Sequence, residues 1–128
     1  MNALNDKDRL LTEAARGIIR LRRREPWHRI GAALRTRSGK TFAAVHLEAR
    51  VGRVAVCAEA IAIGMAAAAG DTEIETIVAV NPEGEIVSPC GMCRELISDY
   101  APEARVIVPG ATGPEVVPVG LLLPNKCK

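Results

Sequence analysis

The sequence is short of aromatic residues: among 128 positions, Trp27, Phe42 and Tyr100 are the only large rings, 2% of the chain. An aromatic platform for stacking single-stranded nucleic acid is nearly excluded, and the core has to be built from Ala, Val, Ile and Leu. Charge of one sign is lacking too. Seventeen Lys and Arg against 15 Asp and Glu leave a net +2, too mild to make nucleic acid or an anionic membrane an obligatory partner. No apolar run reaches the roughly 18 residues of a membrane span, and the nearest, 54–70, carries Glu59 in its middle. The opening residues Met1 to Asp8 lack the basic-then-apolar order of a secretory signal. The expected compartment is therefore the cytoplasm, where the 4 cysteines fit reduced thiols, ligands or catalytic groups better than a disulfide framework.

What is present suits one folded domain over residues 1–128, with 48% hydrophobic and 25% charged residues. From Leu10 to Leu21 the apolar positions follow the i, i+3, i+4 rhythm of an amphipathic helix. It should end near Glu25, because Pro26 disfavours helical geometry in the residue before it. Arg29 to Leu34 and Thr41 to Leu47 read as a strand hairpin across a Ser38-Gly39 turn. Cys57 to Ala69 is an Ala-rich helix, apolar on nearly every face and so expected to be buried, with Gly70 and Asp71 placed to stop it. Ile74 to Val80 reads as a strand covered on both faces, and Asn81 to Gly84 as a turn. A short helix over Gly91 to Tyr100, a strand at Arg105 to Val108 and a possible edge strand at Glu115 to Val119 complete a three-layer α/β order.

Three cysteines sit in two short motifs, Cys57-Ala58-Glu59 and Pro89-Cys90-Gly91-Met92-Cys93. A Cys-x-x-Cys in the first turn of a helix aims both sulfurs at one point, where free amides and the positive end of the helix dipole favour thiolate. Cys57 opens the other buried helix, so two helix starts can face each other and offer three thiolates. Zinc takes such ligands tetrahedrally, and three protein ligands with one open position is the catalytic pattern. Glu59 lies one turn inside an apolar helix, close enough to move protons from a water that zinc can bring to a pKa near 7. Other uses remain open at this level: a redox dithiol, a closed structural zinc completed by Cys127, or Glu59 as a carboxylate that only favours the helix dipole.

Taken together, the motifs have the form of the zinc deaminase signature. The chain resembles the cytidine deaminase family in its small three-cysteine type, which also includes blasticidin S deaminases. The likeness runs through Ile30-Gly31-Ala32-Ala33-Leu34, Cys57-Ala58-Glu59, Ser88 to Leu96 and Leu122-Leu123-Pro124. It implies an α/β/α sandwich around a mixed five-stranded sheet, one zinc per chain on Cys57, Cys90 and Cys93, and Glu59 as the proton carrier in hydroxide attack at C4 of cytosine. It also implies a small-molecule nucleoside substrate, with the Ala58 amide facing the base O2, the Ser88 carbonyl facing the exocyclic amine and Glu48 on a ribose hydroxyl. A homotetramer with active sites at subunit contacts is a further implication.

The chain also departs from the family pattern. His46 stands where the family usually has Asn, two residues before Glu48. In place of an aromatic-bearing Tyr-Ser-x-Phe segment it has Glu25-Pro26-Trp27-His28-Arg29, so a ring against the base has to come from Trp27, Phe42, Tyr100 or a neighbouring subunit, or be replaced by His28. Ala60 replaces an arginine that in many members offsets the thiolate charge, a task left to helix dipoles and Arg94. These departures, the last shared with blasticidin S deaminases, give weight to a modified cytosine nucleoside or a nucleoside antibiotic. The basic stretch Arg20-Leu21-Arg22-Arg23-Arg24 suggests an RNA deaminase instead, against which the scarcity of aromatics counts.

Overall fold

The computed structural model describes residues 2–127. Helix α1 spans Asp6–Arg22 and starts in a reciprocal cap: the Asn5 side chain accepts from the Asp8 amide at 2.8 Å, and the Asp8 carboxylate accepts from the Asn5 amide at 3.1 Å. Each bond satisfies an amide that a helix start leaves open. The helix ends before Pro26, as expected, but three residues earlier than Glu25. Its inward stripe is Leu11, Ala15 and Ile19, whereas Leu10 and Leu21 point to solvent.

The hairpin forms from β1 (Gly31–Thr36) and β2 (Thr41–Val45), with Gly39 at φ +93° in the turn. Helix α2 (Ala58–Ala68) is followed by β3 (Ile74–Val80), and Gly70 at φ +70° takes the left-handed position that stops the helix. Next come β4 (Ile86–Val87), α3 (Gly91–Tyr100), β5 (Arg105–Gly110) and β6 (Gly113–Pro118). The sheet order is β2-β1-β3-β5-β6, with β3 and β5 parallel across the α3 crossover and every other pair antiparallel. The sheet is mixed, as the family likeness implies, but has six strands rather than five. The sixth, β4, is two residues long, too short to carry an alternation of its own.

Short as it is, β4 sets where the second cysteine motif lies. β5 pairs with β3 only at Thr76 and Ile77, while β4 takes Ala79 and Val80. The two share one edge of β3, so the chain leaving β4 enters Ser88-Pro89-Cys90 at the end of the sheet.

Helix α1 covers one face of the sheet, over Ala33, Val78, Val80 and Ile107, and α2 and α3 cover the other, over Leu34, Ile74, Ile77 and Val106. β3 is buried on both sides, as its continuous apolar run requires. Small residues set the spacing. A Cβ on Gly31 would lie 2.6 Å from the Ala15 carbonyl, so only glycine lets α1 approach β1 this closely. At the site end, Ala32, Ala58 and Ala79 form a separate buried cluster that seats the start of α2 directly on the sheet. Helix α2 departs from expectation in one respect: Ala58, Glu59, Ala62, Ile63 and Ala66 are buried, but Gly64, Met65, Ala67 and Ala68 are exposed. Among the described residues nothing covers its second apolar face. No helix among the described residues is long and apolar enough to cross a membrane.

A buried ion pair ties the two ends of the fold together. Asp8 is fully buried and receives Arg105 in a forked pair at 2.9 and 3.0 Å, with Arg35 at 3.5 Å. Arg105 also donates to the Thr76 hydroxyl at 2.9 Å, and Arg35 to Glu75 at 2.8 Å, so α1, β1, β3 and β5 meet in one network. Burial pushes the Asp8 carboxyl up, but the bonds from Arg105 and the Asn5 amide outweigh it and hold the carboxyl below the usual range. A carboxyl with a lowered folded pKa contributes stability above its unfolded value and loses it as pH falls through the folded one. Asp8→Ala should therefore lower unfolding free energy by on the order of 3 kcal/mol near neutrality, with the gap to wild type closing in acid. Urea melts at neutral and acidic pH check both parts, and equal gaps at the two pH values would remove the ion pair as the cause.

Candidate metal centre and pocket

Helices α2 and α3 begin against each other, and each takes a cysteine as its N-cap. Cys57 caps α2 and Cys90 caps α3, and Cys93 follows one turn into α3. The three sulfurs lie within 4.8 Å of one another, with Cys57 and Cys90 at 3.6 Å. A tetrahedral zinc with Zn–S bonds near 2.3 Å spaces its sulfurs about 3.8 Å apart, so the cluster fits the ion without rearrangement of the backbone. The donor set fits as well, three soft thiols with no fourth cysteine: Cys127 is exposed and stands outside the group.

Electrostatics point the same way. Burial pushes the Cys90 thiol up, but amide donors from Cys93 and Met92 and bonds from Cys57 and Cys93 outweigh it and leave the group below its ordinary value. Burial and the hydrogen bond to Cys90 push Cys57 up, and burial with the Glu59 and Cys57 charges pushes Cys93 far up. Three thiolates packed beside a carboxylate need a cation, and a divalent metal at their centre supplies it. Arg94 serves another purpose. Its Nε donates to the Pro89 carbonyl at 2.8 Å and its guanidinium reaches Leu122 O at 3.4 Å, pinning the turn before Cys90 to the C-terminal segment.

Glu59 is 6% exposed, and burial raises its carboxyl above the ordinary value while a bond from Cys93 partly opposes the shift. It sits in the lining of a cavity of about 290 Å³ with Cys57, Ala58, Ser88, Cys90 and His46. Cys93 lies buried behind that wall. The remaining walls are Ile30, Gly52, Ala55, Val56, Val87 and Met92. Met92 lies in the second cysteine motif and Ile30 in the Ile30 to Leu34 segment, but Gly52, Ala55, Val56 and Val87 carried no motif, and these wall residues come from separate parts of the chain. Their meeting is a product of the tertiary fold.

The other candidates are placed less directly. Glu48 is exposed, its carboxylate accepting from the adjacent Ala49 amide at 3.0 Å. Trp27 accepts the Glu48 amide at its carbonyl, 3.0 Å, and His28 turns its Nδ1 to the His46 carbonyl, 2.9 Å. None of Trp27, His28 and Glu48 lines the cavity. Neither do Phe42, which packs on the core beside α2, nor Tyr100, which lies half out in solvent. His46 is the one ring in the cavity wall. Burial pushes its pKa down, with Glu48 opposing and His28 and Arg29 adding to the shift. The Arg20–Arg24 stretch sits at the far end of α1, where Arg23 pairs with Glu25 at 2.9 Å, and it contributes nothing to the cavity wall.

The family model of the cytidine and deoxycytidylate deaminase zinc-binding region matches residues 5–109. The chain is 48% identical over 113 residues to a blasticidin-S deaminase of Bacillus cereus, covering 82% of this chain and 81% of that one. The crystal structure of cytidine deaminase from Burkholderia pseudomallei superposes with a TM-score of 0.79 at 29% identity, over 97% of this chain and 100% of the other. Cytidine deaminase from Mycobacterium leprae shares the fold at 24% identity, TM-score 0.80, over 95% and 100% of the two chains. Metal analysis of the purified protein should find about one zinc per chain, and Cys90→Ser should lower that content sharply. Activity retained in protein shown to hold no metal would sink the zinc assignment. Three thiols at two helix starts, a buried glutamate beside them and a family match over most of the sequence make this chain a member of the cytidine and deoxycytidylate deaminase family, a zinc-dependent hydrolytic deaminase.

Proposed function

We propose that this protein, acting as one catalytic domain over residues 1–128, converts a cytosine nucleoside or a modified analogue, with water, to the uracil nucleoside and ammonia. The observation that carries this is the buried Glu59 carboxyl beside the thiol cluster, at the wall of a cavity otherwise almost wholly apolar. Zinc held by Cys57, Cys90 and Cys93 supplies a water acidic enough to be deprotonated near neutral pH.

Glu59 takes one proton from the attacking water and passes it to ring N3, then takes the proton of the new C4 hydroxyl as the carbonyl forms and delivers it to the amine, which leaves as ammonia. Burial moves the Glu59 pKa upward, toward the working pH, which suits a carboxyl that both takes and gives protons. Ala58 opens α2, where a helix amide has no partner within the helix, and its N–H is available to the base O2. The Ser88 carbonyl receives the exocyclic amine, which sets the amine toward Glu59. Apolar walls at Ile30, Val56 and Val87 keep bulk water from competing.

A nucleoside antibiotic of the blasticidin S type is the second reading of the substrate. It is supported by the 48% identity over 113 residues to the Bacillus cereus enzyme and by Ala60, where the family resemblance leads one to expect arginine. The subunits assemble as a homotetramer, a reading supported by the exposed apolar face of α2 at Met65, by exposed Val51 and Val54 next in sequence to cavity-lining Gly52 and Ala55, and by exposed Met92 in the cavity wall.

Ammonia release from a panel of cytidine, deoxycytidine, base- and sugar-modified cytidines and blasticidin S should single out one of them. Silence across the whole panel overturns the proposal. Glu59→Gln should keep zinc and fold but lose at least about 100-fold in turnover; an active variant removes Glu59 from the mechanism. Light scattering should give the mass of four chains, falling when Met65→Glu charges the α2 face, and a wild-type monomer would overturn the assembly.

A further inference from the structure

His46 follows β2 directly, and its backbone amide donates to the Ile30 carbonyl at 3.0 Å. Its ring is held from the same side. The Arg29 amide donates to Nδ1 at 2.7 Å and the Ile30 amide donates to the same nitrogen at 3.1 Å. Two N–H groups converge on one ring nitrogen, so Nδ1 can only be an acceptor. A proton placed there would point into two others. The neutral ring must therefore carry its proton on Nε2. Among the described residues nothing bonds Nε2, and the ring is half-buried in the cavity wall between Ile30 and the residues that open α2. The carbonyl of His46 is engaged from behind by His28, so backbone and ring are fixed together.

The geometry points to His46 as a specificity-determining residue of fixed polarity: locked as the Nε2–H tautomer by the Arg29 and Ile30 amides, it offers substrate a hydrogen-bond donor and never an acceptor. This rests on the deaminase reading of the cavity. Glu59, Ala58 and Ser88 take the reacting base, so the donor faces a non-reacting part of the substrate. The matching group there is an acceptor, such as a hydroxyl, carbonyl or carboxylate oxygen. An ammonium or bare methylene at the same point finds no partner, and an unmatched donor in a mostly apolar wall costs affinity. Asparagine, the usual family residue at this position, can turn its amide to present either end. The tied imidazole cannot.

The test has a spectroscopic and a kinetic arm, both on the zinc-loaded full chain. With only two histidines in the sequence, ¹⁵N-labelled wild type compared with His46→Phe assigns the His46 ring nitrogens. The expected result is the Nε2–H tautomer across the neutral pH range; an Nδ1–H tautomer or an imidazolium overturns the proposal. Kinetically, with cytidine and blasticidin S as probes, His46→Phe should raise KM about 3- to 10-fold for the probe that wild type turns over, the value of one neutral hydrogen bond. His46→Asn should restore much of that loss, with kcat nearly unchanged in both variants. A Phe variant with wild-type KM overturns the donor role. Where wild type is inactive on both probes, the kinetic arm uses whichever nucleoside of the panel it deaminates; silence across the panel speaks against the deaminase reading, while the ring spectrum still decides the tautomer, so the two failures are told apart.

Discussion

The rest of the structure is arranged around two helix starts that meet at their sulfurs. Cys57 and Cys90 occupy N-cap positions where an oxygen side chain would ordinarily bond its own helix. With sulfur in that place, the first-turn amides of Met92 and Cys93 donate to Cys90 and favour its thiolate. The partition of one edge of β3 between β5 and β4 delivers Cys90 to this point, and the Ala32-Ala58-Ala79 cluster lets α2 sit low enough on the sheet to deliver Cys57. Larger side chains at those alanines would lift the helix off the sheet and part the sulfurs. The alanine content of this chain thus has a geometric use at the metal end of the fold.

The scarcity of rings has a corresponding effect on the cavity. Phe42 is committed to the core and Tyr100 to the surface, so the cavity is walled by Ile30, Val56, Val87 and Met92 with no large aromatic ring among them. Aliphatic walls hold a flat ring by shape and dispersion, with little preference for its electronic character. Met92, 74% exposed, is the most adaptable of them. Discrimination among substrates falls to the few polar groups in the wall. In the proposed reaction Glu59, Ala58 and Ser88 serve the reacting end, and the His46 ring, tied by two amides, is left for the other.

Much of the fold is legible in the residues. Ile74–Val80 and Gly91–Tyr100 stand at the expected boundaries, because a continuous β-branched run and a helix opened by Pro-Cys-Gly are strong local signals. The edge strand and the hairpin are shifted by one or two residues, as ends set by pairing partners are. The Asn5–Asp8 cap carries no signal in the helix rhythm, which starts only at Leu10. The uncovered face of α2 could not be foreseen from composition. An all-apolar helix predicts burial, but whether the burying surface lies in the same chain is decided by how far the sheet extends beneath it.

The three sulfur ligands and Glu59 follow from sequence alone, because their chemistry is carried by residue type and by spacing within single helical turns, which local structure reproduces wherever the helix lies. The aliphatic walls, the six-strand sheet, the reach of Arg94 to Leu122 and the fixed state of His46 were decided only by tertiary structure. Each depends on groups far apart in the chain arriving within about 3 to 4 Å of one another, and contact at that range has no period or motif to announce it.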